Sequence, residues 1–202
     1  MDASPNTTQL LDISPLESIS YEIDKRMEEK KTLLRKILYD NIPLAKEMGL
    51  QISSYDEKSL SLCAPINRNT NHKGIAFGGS LYSLAVLAGL GLLFLKLKGE
   101  NLTGNIVICK GFISYHFPVK DDLQATCHMP DATELDIFIR RYRRRGKSRV
   151  RLCSHIYSQS KVAVSFAGIY AVHSQKTQTY HSKSTSNPGW MNTYPEQKDI
   201  HD

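Results

Sequence analysis

The chain has 202 residues, 41% of them hydrophobic and 23% charged, with a net charge of +6. That length fits one domain with tails and suffices to bury a core. The excess charge is local: Arg140, Arg141, Arg143, Arg144, Arg145, Lys147, Arg149 and Arg151 carry no acid among them, and removing these eight from the 26 Lys and Arg leaves 18 against 20 Asp and Glu. The rest of the chain is about neutral, so the basic character is local and a basic patch is expected.

Residues 1–13 read as a disordered lead. They lack a basic segment followed by an apolar run, so no signal peptide is expected and the cytoplasm is the expected compartment. Ser14-Pro15-Leu16-Glu17 is a helix start, with a capping serine, proline in the first turn and a glutamate that completes a capping box. The predicted helix, the 14–41 extension, carries a partial apolar stripe of Ile19, Ile23, Met27, Leu34, Ile37 and Leu38. A short helix over 42–48 stops at Gly49.

Strands follow at 50–55 and 59–65, joined at Asp56-Glu57-Lys58 as a hairpin. A polar loop, Asn69 to Gly74, then runs through Phe77-Gly78-Gly79-Ser80 into a stretch with no charge between Lys73 and Lys96. This predicts a helix over about 79–97, apolar all round and therefore buried. It also reaches the length of a membrane span, but five glycines from Gly74 to Gly91, the polar Ser80, Tyr82 and Ser83, and strands on both sides favour a core helix.

Further strands are predicted at 105–117, 123–129, 134–145, 148–158 and 162–173, separated by turns at 120–122, 130–131, 146–147 and 159–161. On a 134–145 strand, Arg141, Arg143 and Arg145 would share one face. Residues 174–202 are polar and read as a tail. Cys63, Cys109, Cys127 and Cys153 form no C-x-x-C pair and are expected as free buried thiols. The histidines show no ligand spacing with them, so no metal is expected.

Two strands, a buried helix and a run of antiparallel strands is the order of the hotdog fold, an α+β sheet wrapped around a central helix. Ala64-Pro65-Ile66-Asn67-Arg68-Asn69-Thr70-Asn71-His72-Lys73-Gly74 and Phe77-Gly78-Gly79-Ser80-Leu81-Tyr82-Ser83-Leu84-Ala85 resemble the YiiD C-terminal-domain family of putative thioesterases, as do Asn105 to Ile108 and Tyr142 to Arg149. The likeness covers about 42–172 of the 42–173 domain. It departs at Ile75, where the family tends to have Thr, and at Leu90, where it tends to have Trp.

The resemblance implies an enzyme acting on acyl thioesters of coenzyme A or acyl carrier protein. It also implies a homo-oligomer, commonly a dimer with its site at the subunit interface. Coenzyme A or phosphopantetheine would enter only as part of the substrate, with no separate cofactor. In phenylacetyl-CoA-type hotdog thioesterases the matching segment reads His-Gly-Gly with a carboxylate farther along the helix. Here Phe77 and Val86 stand at those places, so the usual base or nucleophile is missing.

Without it, hydrolysis lacks a group to activate water. Backbone N–H groups of Gly79 and Ser80 could still polarise a thioester carbonyl. Decarboxylation of a malonyl thioester needs little more: Asn69 and Asn71 to hold the carboxylate, and Tyr82 or His72 to supply a proton. Phe77, Gly78, Gly79 and Ser80 are the expected substrate contacts. Arg143 and Arg145 are expected at the phosphates of coenzyme A or an acidic carrier protein. Hydrolysis and a silent acyl-thioester-binding module remain the alternatives. Nucleic acid is disfavoured, since Phe138 and Tyr142 are the only aromatics near the arginines.

Overall fold

The charge-free stretch folds as a single helix held in the curve of one sheet. A computed structural model describes residues 15–174; Ser14 and the tail beyond Ser174, Trp190 included, lie outside the described residues. The elements are α1 Pro15–Asn41, α2 Pro43–Glu47, β1 Gln51–Tyr55, β2 Ser59–Ala64, α3 Gly78–Gly99, β3 Asn105–Tyr115, β4 Leu123–His128, α4 Ala132–Arg145, β5 Lys147–Ser158 and β6 Lys161–His173. The six strands form one antiparallel sheet in the order β1-β2-β4-β5-β6-β3.

α3 is mostly buried: Leu84, Ala85, Ala88, Leu92 and Leu93 are fully enclosed, while Tyr82, Val86, Leu90 and Phe94 along one face are half-buried. It is long and apolar enough to cross a membrane, but most of its apolar window is buried within the fold. The sheet presents a matching apolar face because its strands alternate. Ser148, Val150, Leu152, Ser154 and Ile156 of β5 are buried and alternate with exposed or half-buried neighbours. The last half of α1 closes the open end, with Leu34 and Leu38 fully buried. A Cβ on Gly91 would lie 3.0 Å from Leu34, so glycine there lets the two helices approach.

The hairpin is fixed by Asp56, whose Oδ1 accepts from the backbone N–H of Lys58 and Ser59 and from the Ser59 hydroxyl. Glu57, at φ +69° in the turn, meets Lys30 of α1 at 2.5 Å.

One predicted strand is corrected. Residues 134–145 form helix α4, not a strand. Alternation of Ile137 and Ile139 gives the strand reading, but the buried residues are Phe138, Ile139 and Tyr142, with Leu135 half-buried beside them. Their spacing is helical. Asp131 caps the start, accepting from the N–H of Glu134 at 2.9 Å, and Gly146 ends it at φ +63°. The expected burial of all four thiols is also corrected. They are free, but only Cys127 is fully buried: Cys63 is half-buried, Cys153 falls on an outward position of β5, and Cys109 lies exposed on a bulge of β3.

Both ends of α3 are tied down. At its C-terminal end Glu100 pairs with Lys96 at 2.9 Å and Arg143 at 2.8 Å. The hydrogen bond from Lys96, then the Lys96 and Arg143 charges, hold the Glu100 carboxyl below its ordinary 4.5. A depressed folded-state value means this contribution is present above 4.5 and is lost as pH falls through the folded value. Glu100→Gln is therefore expected to be less stable by a few tenths of a kcal/mol at neutral pH. Urea denaturation should show the gap closing below about 4.5.

Candidate functional site

The polar loop is a small hairpin that delivers the chain to α3. Thr70 bridges Ala76, the Asn71 N–H donates to Ile75 O at 2.8 Å, and the Phe77 N–H donates to Asn69 O at 2.7 Å. Gly74 takes φ +70° at its tip. Ala76 N–H anchors the hairpin to Val119 O at 2.8 Å.

The two asparagines have different surroundings. Asn69 is buried, and its Nδ2 donates to Met48 O at 3.0 Å and Pro65 O at 2.8 Å. Both its amide hydrogens are spent on backbone carbonyls, so it braces the loop rather than offering a donor outward. Asn71 is half-buried. Its Oδ1 accepts from the Lys73 N–H at 2.8 Å, and its Nδ2 has no partner among the described residues. His72 is exposed. Asn69→Ala should cost about 2 kcal/mol by orphaning buried carbonyls, seen as a lower urea midpoint.

Phe77 occupies the position before the first turn of α3 and offers no side-chain cap. The N–H groups of Gly78, Gly79 and Ser80 thus lack intrahelical acceptors and sit at the positive end of the helix dipole. No acidic side chain lies in that turn. The Phe77 ring, half-exposed, lies over Gly79: a Cβ there would stand 2.3 Å from it.

Tyr82, one turn on, packs edge-to-face on Phe166 with centroids 5.5 Å apart. Its hydroxyl has no hydrogen-bond partner among the described residues. A Cβ at Gly111 of β3 would lie 2.6 Å from that hydroxyl, so glycine there makes room for the phenol. Tyr115, which the sequence reading did not single out, donates its hydroxyl to Gly78 O at 2.9 Å. Burial, then the neighbouring Tyr82, raises its phenol above 10.0. The signal was the period of β3. A bulge between Ile108 and Lys110 moves the inward face from Ile106 and Ile108 to Gly111, Ile113 and Tyr115.

The structure brings Asn69, Asn71, Phe77, Gly78, Gly79, Ser80 and Tyr82 to the N-terminal end of α3 or its feeding loop. Arg143 and Arg145 lie elsewhere. Arg143 pairs with Glu100 at the far end of α3, about 33 Å away at helical rise. No group of three or more His, Cys, Asp or Glu suited to a metal ion occurs among the described residues.

A six-stranded antiparallel sheet around a central helix, with a glycine-rich helix start at the sheet edge, defines a hotdog fold of the thioesterase type. Residues 31–174 match the family described as "Putative thioesterase (yiiD_Cterm)", and the chain belongs to that family. The match takes in the last part of α1, which helps to close the core.

Among solved structures, the chain is similar to OLEI01261 of Chlorobaculum tepidum TLS, a protein of unknown function. The two share 38% identity over 73% of this chain and 96% of that one, with a TM-score of 0.71. A putative thioesterase from Shewanella oneidensis shares 28% identity over 73% of this chain and 99% of that one, with a TM-score of 0.67. The E. coli PaaI protein of the phenylacetic acid degradation operon, at 19% identity over 73% and 95% and a TM-score of 0.53, shares the fold.

Proposed function

We propose that this member of the family decarboxylates a malonyl thioester, the acyl group being carried on coenzyme A or a carrier protein. One observation carries the reading: α3 opens with three backbone N–H groups free of intrahelical partners and no acid in its first turn. Such a site can hold negative charge on a carbonyl oxygen but has no carboxylate to activate water.

The thioester carbonyl would sit on the Gly79 and Ser80 N–H groups. Asn71 Nδ2 would hold the carboxylate out of the carbonyl plane. The C–C bond breaks, CO₂ leaves, and its electron pair becomes an enolate whose oxygen rests on those N–H groups. The Tyr82 hydroxyl gives a proton to the carbon and regains one from water. Tyr115 keeps the helix start in place.

The site opens at β3, an edge strand of eleven residues with Val107, Phe112 and Tyr115 about half or more exposed. The other edge, β1, is five residues long and bulged. A long apolar edge invites strand pairing, and a second copy joined antiparallel along β3 is the assembly we propose.

Mass spectrometry after incubation with malonyl- and medium-chain thioesters decides the reaction. Loss of CO₂ with the thioester intact is the expected result. Release of free thiol means hydrolysis, and binding without change of any substrate means a silent module.

A further inference from the structure

Folding α4 gathers the basic run into one place. Arg140 pairs with Asp136 and Arg143 with Glu100. Arg141, Arg144, Arg145, Lys147 and Arg149 form no ion pair among the described residues. With His173 they line a cleft of about 630 Å³ between the end of α4 and the start of β5. Its wall includes Ser148, a buried residue whose hydroxyl has no hydrogen-bond partner among the described residues. Five cations around one hollow repel each other, and a bound anion would relieve that.

The shape selects the anion. The cleft is concave and of small-ligand size, and arginine forks match phosphate oxygens in pairs. Phe138 and Tyr142, the aromatics of α4, are both buried in the core, so no ring is offered for stacking a strand of bases.

Its location selects the subunit served. Tyr115, at one end of β3, bonds to the start of α3; Asn105, at the other end, pairs with His173 of the cleft. Cleft and catalytic loop of one chain thus lie about 33 Å apart along α3. Antiparallel pairing of β3 with a second copy brings the Asn105 end of one chain beside the Tyr115 end of the other.

We propose that this cleft binds the nucleotide phosphates of a coenzyme A thioester whose acyl end lies in the partner copy's site. The inference rests on the thioester reading and the β3 pairing above.

Calorimetric titration with adenosine 3′,5′-bisphosphate tests the cleft by itself, since it needs no turnover. Saturable binding is expected, weakened about tenfold or more in the double variant Arg144→Gln, Arg149→Gln. Both positions are exposed, and circular dichroism checks that the variant is folded. In the same variant, kcat/KM for a coenzyme A thioester should fall about tenfold, through KM, relative to the matching pantetheine thioester.

Mixed dimers then test the sharing. One subunit carries the two arginine substitutions and the other Asn71→Ala; sharing leaves one working site of the two. An absence of bisphosphate binding, or equal binding by the variant, overturns the cleft. So does an arginine effect seen only with acyl carrier protein or with RNA. Mixed dimers in which no site keeps the wild-type kcat/KM overturn the sharing. Absence of turnover on every thioester defeats the proposed function instead, while the titration still decides the cleft.

Discussion

Asn71→Ala is expected to slow loss of CO₂ from a malonyl thioester about 10²-fold, the scale of removing one preorganised donor. The argument starts from the hydrogen bonds of the loop. Asn69 has no amide hydrogen to spare, while Asn71 keeps a free Nδ2 beside the chain that enters α3. Alanine also removes the acceptor for the Lys73 N–H, so a loss of rate alone would leave loop shape as a rival cause. Asn71→Asp separates the two. Aspartate keeps an oxygen for the Lys73 N–H, replaces the donor with a second acceptor and places like charge against the substrate carboxylate. The expected order is wild type, then Ala, then Asp, with unchanged thermal midpoints. If Asp runs near the wild-type rate and Ala is slow, Asn71 only shapes the loop. If both run at full rate, the carboxylate is held by something else.

How much of this was legible before the structure depends on which force decided each element. α3 was legible because a charge-free run with glycines at its start has few places to go but the core. The β1–β2 hairpin was legible because Asp56 writes its turn locally. α4 was misread because two periods overlap in 134–145: Ile137 and Ile139 alternate, yet Leu135, Phe138, Ile139 and Tyr142 make the stripe that is buried. Its caps, Asp131 and Gly146, are visible in the sequence but read equally well as turns. The separate roles of Asn69 and Asn71 were not legible, since Met48, one of the two carbonyl partners that spend the Asn69 amide, comes from another part of the chain. Tyr115 was hidden by the bulge at Cys109, which reverses the faces of β3 midway. The long span between the arginines and the loop follows from packing β3 along α3, and single-sequence patterns do not report it.

Gly89→Ala should destabilise the fold by about 3 kcal/mol, against the gain of about 1 kcal/mol that helix propensity alone predicts. A Cβ there would lie 2.3 Å from the Tyr170 hydroxyl and 2.6 Å from its Cζ. The ring has nowhere to go: Tyr170 is fully buried, and its hydroxyl donates to Val86 O at 2.9 Å. Desolvation holds that phenol far above its ordinary 10.0, so it remains a donor wherever the fold persists. Ser154 makes a parallel bond to Ala85 O at 3.0 Å, and the two bonds pin the middle of α3 to β5 and β6. Tyr170→Phe alone should cost about 1 kcal/mol, the worth of one hydrogen bond. Combined with Gly89→Ala it should cost less than the sum of the two, because the nearest clashing atom is gone while Cζ remains. Urea denaturation of the four proteins measures that coupling. Additive losses would mean that the ring and the helix do not meet as described, and a stabilised Gly89→Ala would mean that the ring yields. The pin matters to the site because it lies about one to two turns beyond Tyr82. A helix free to slide there would move the Gly78–Ser80 N–H groups off the carbonyl they are proposed to hold, and a displacement of about 1 Å can cost 10²-fold in rate.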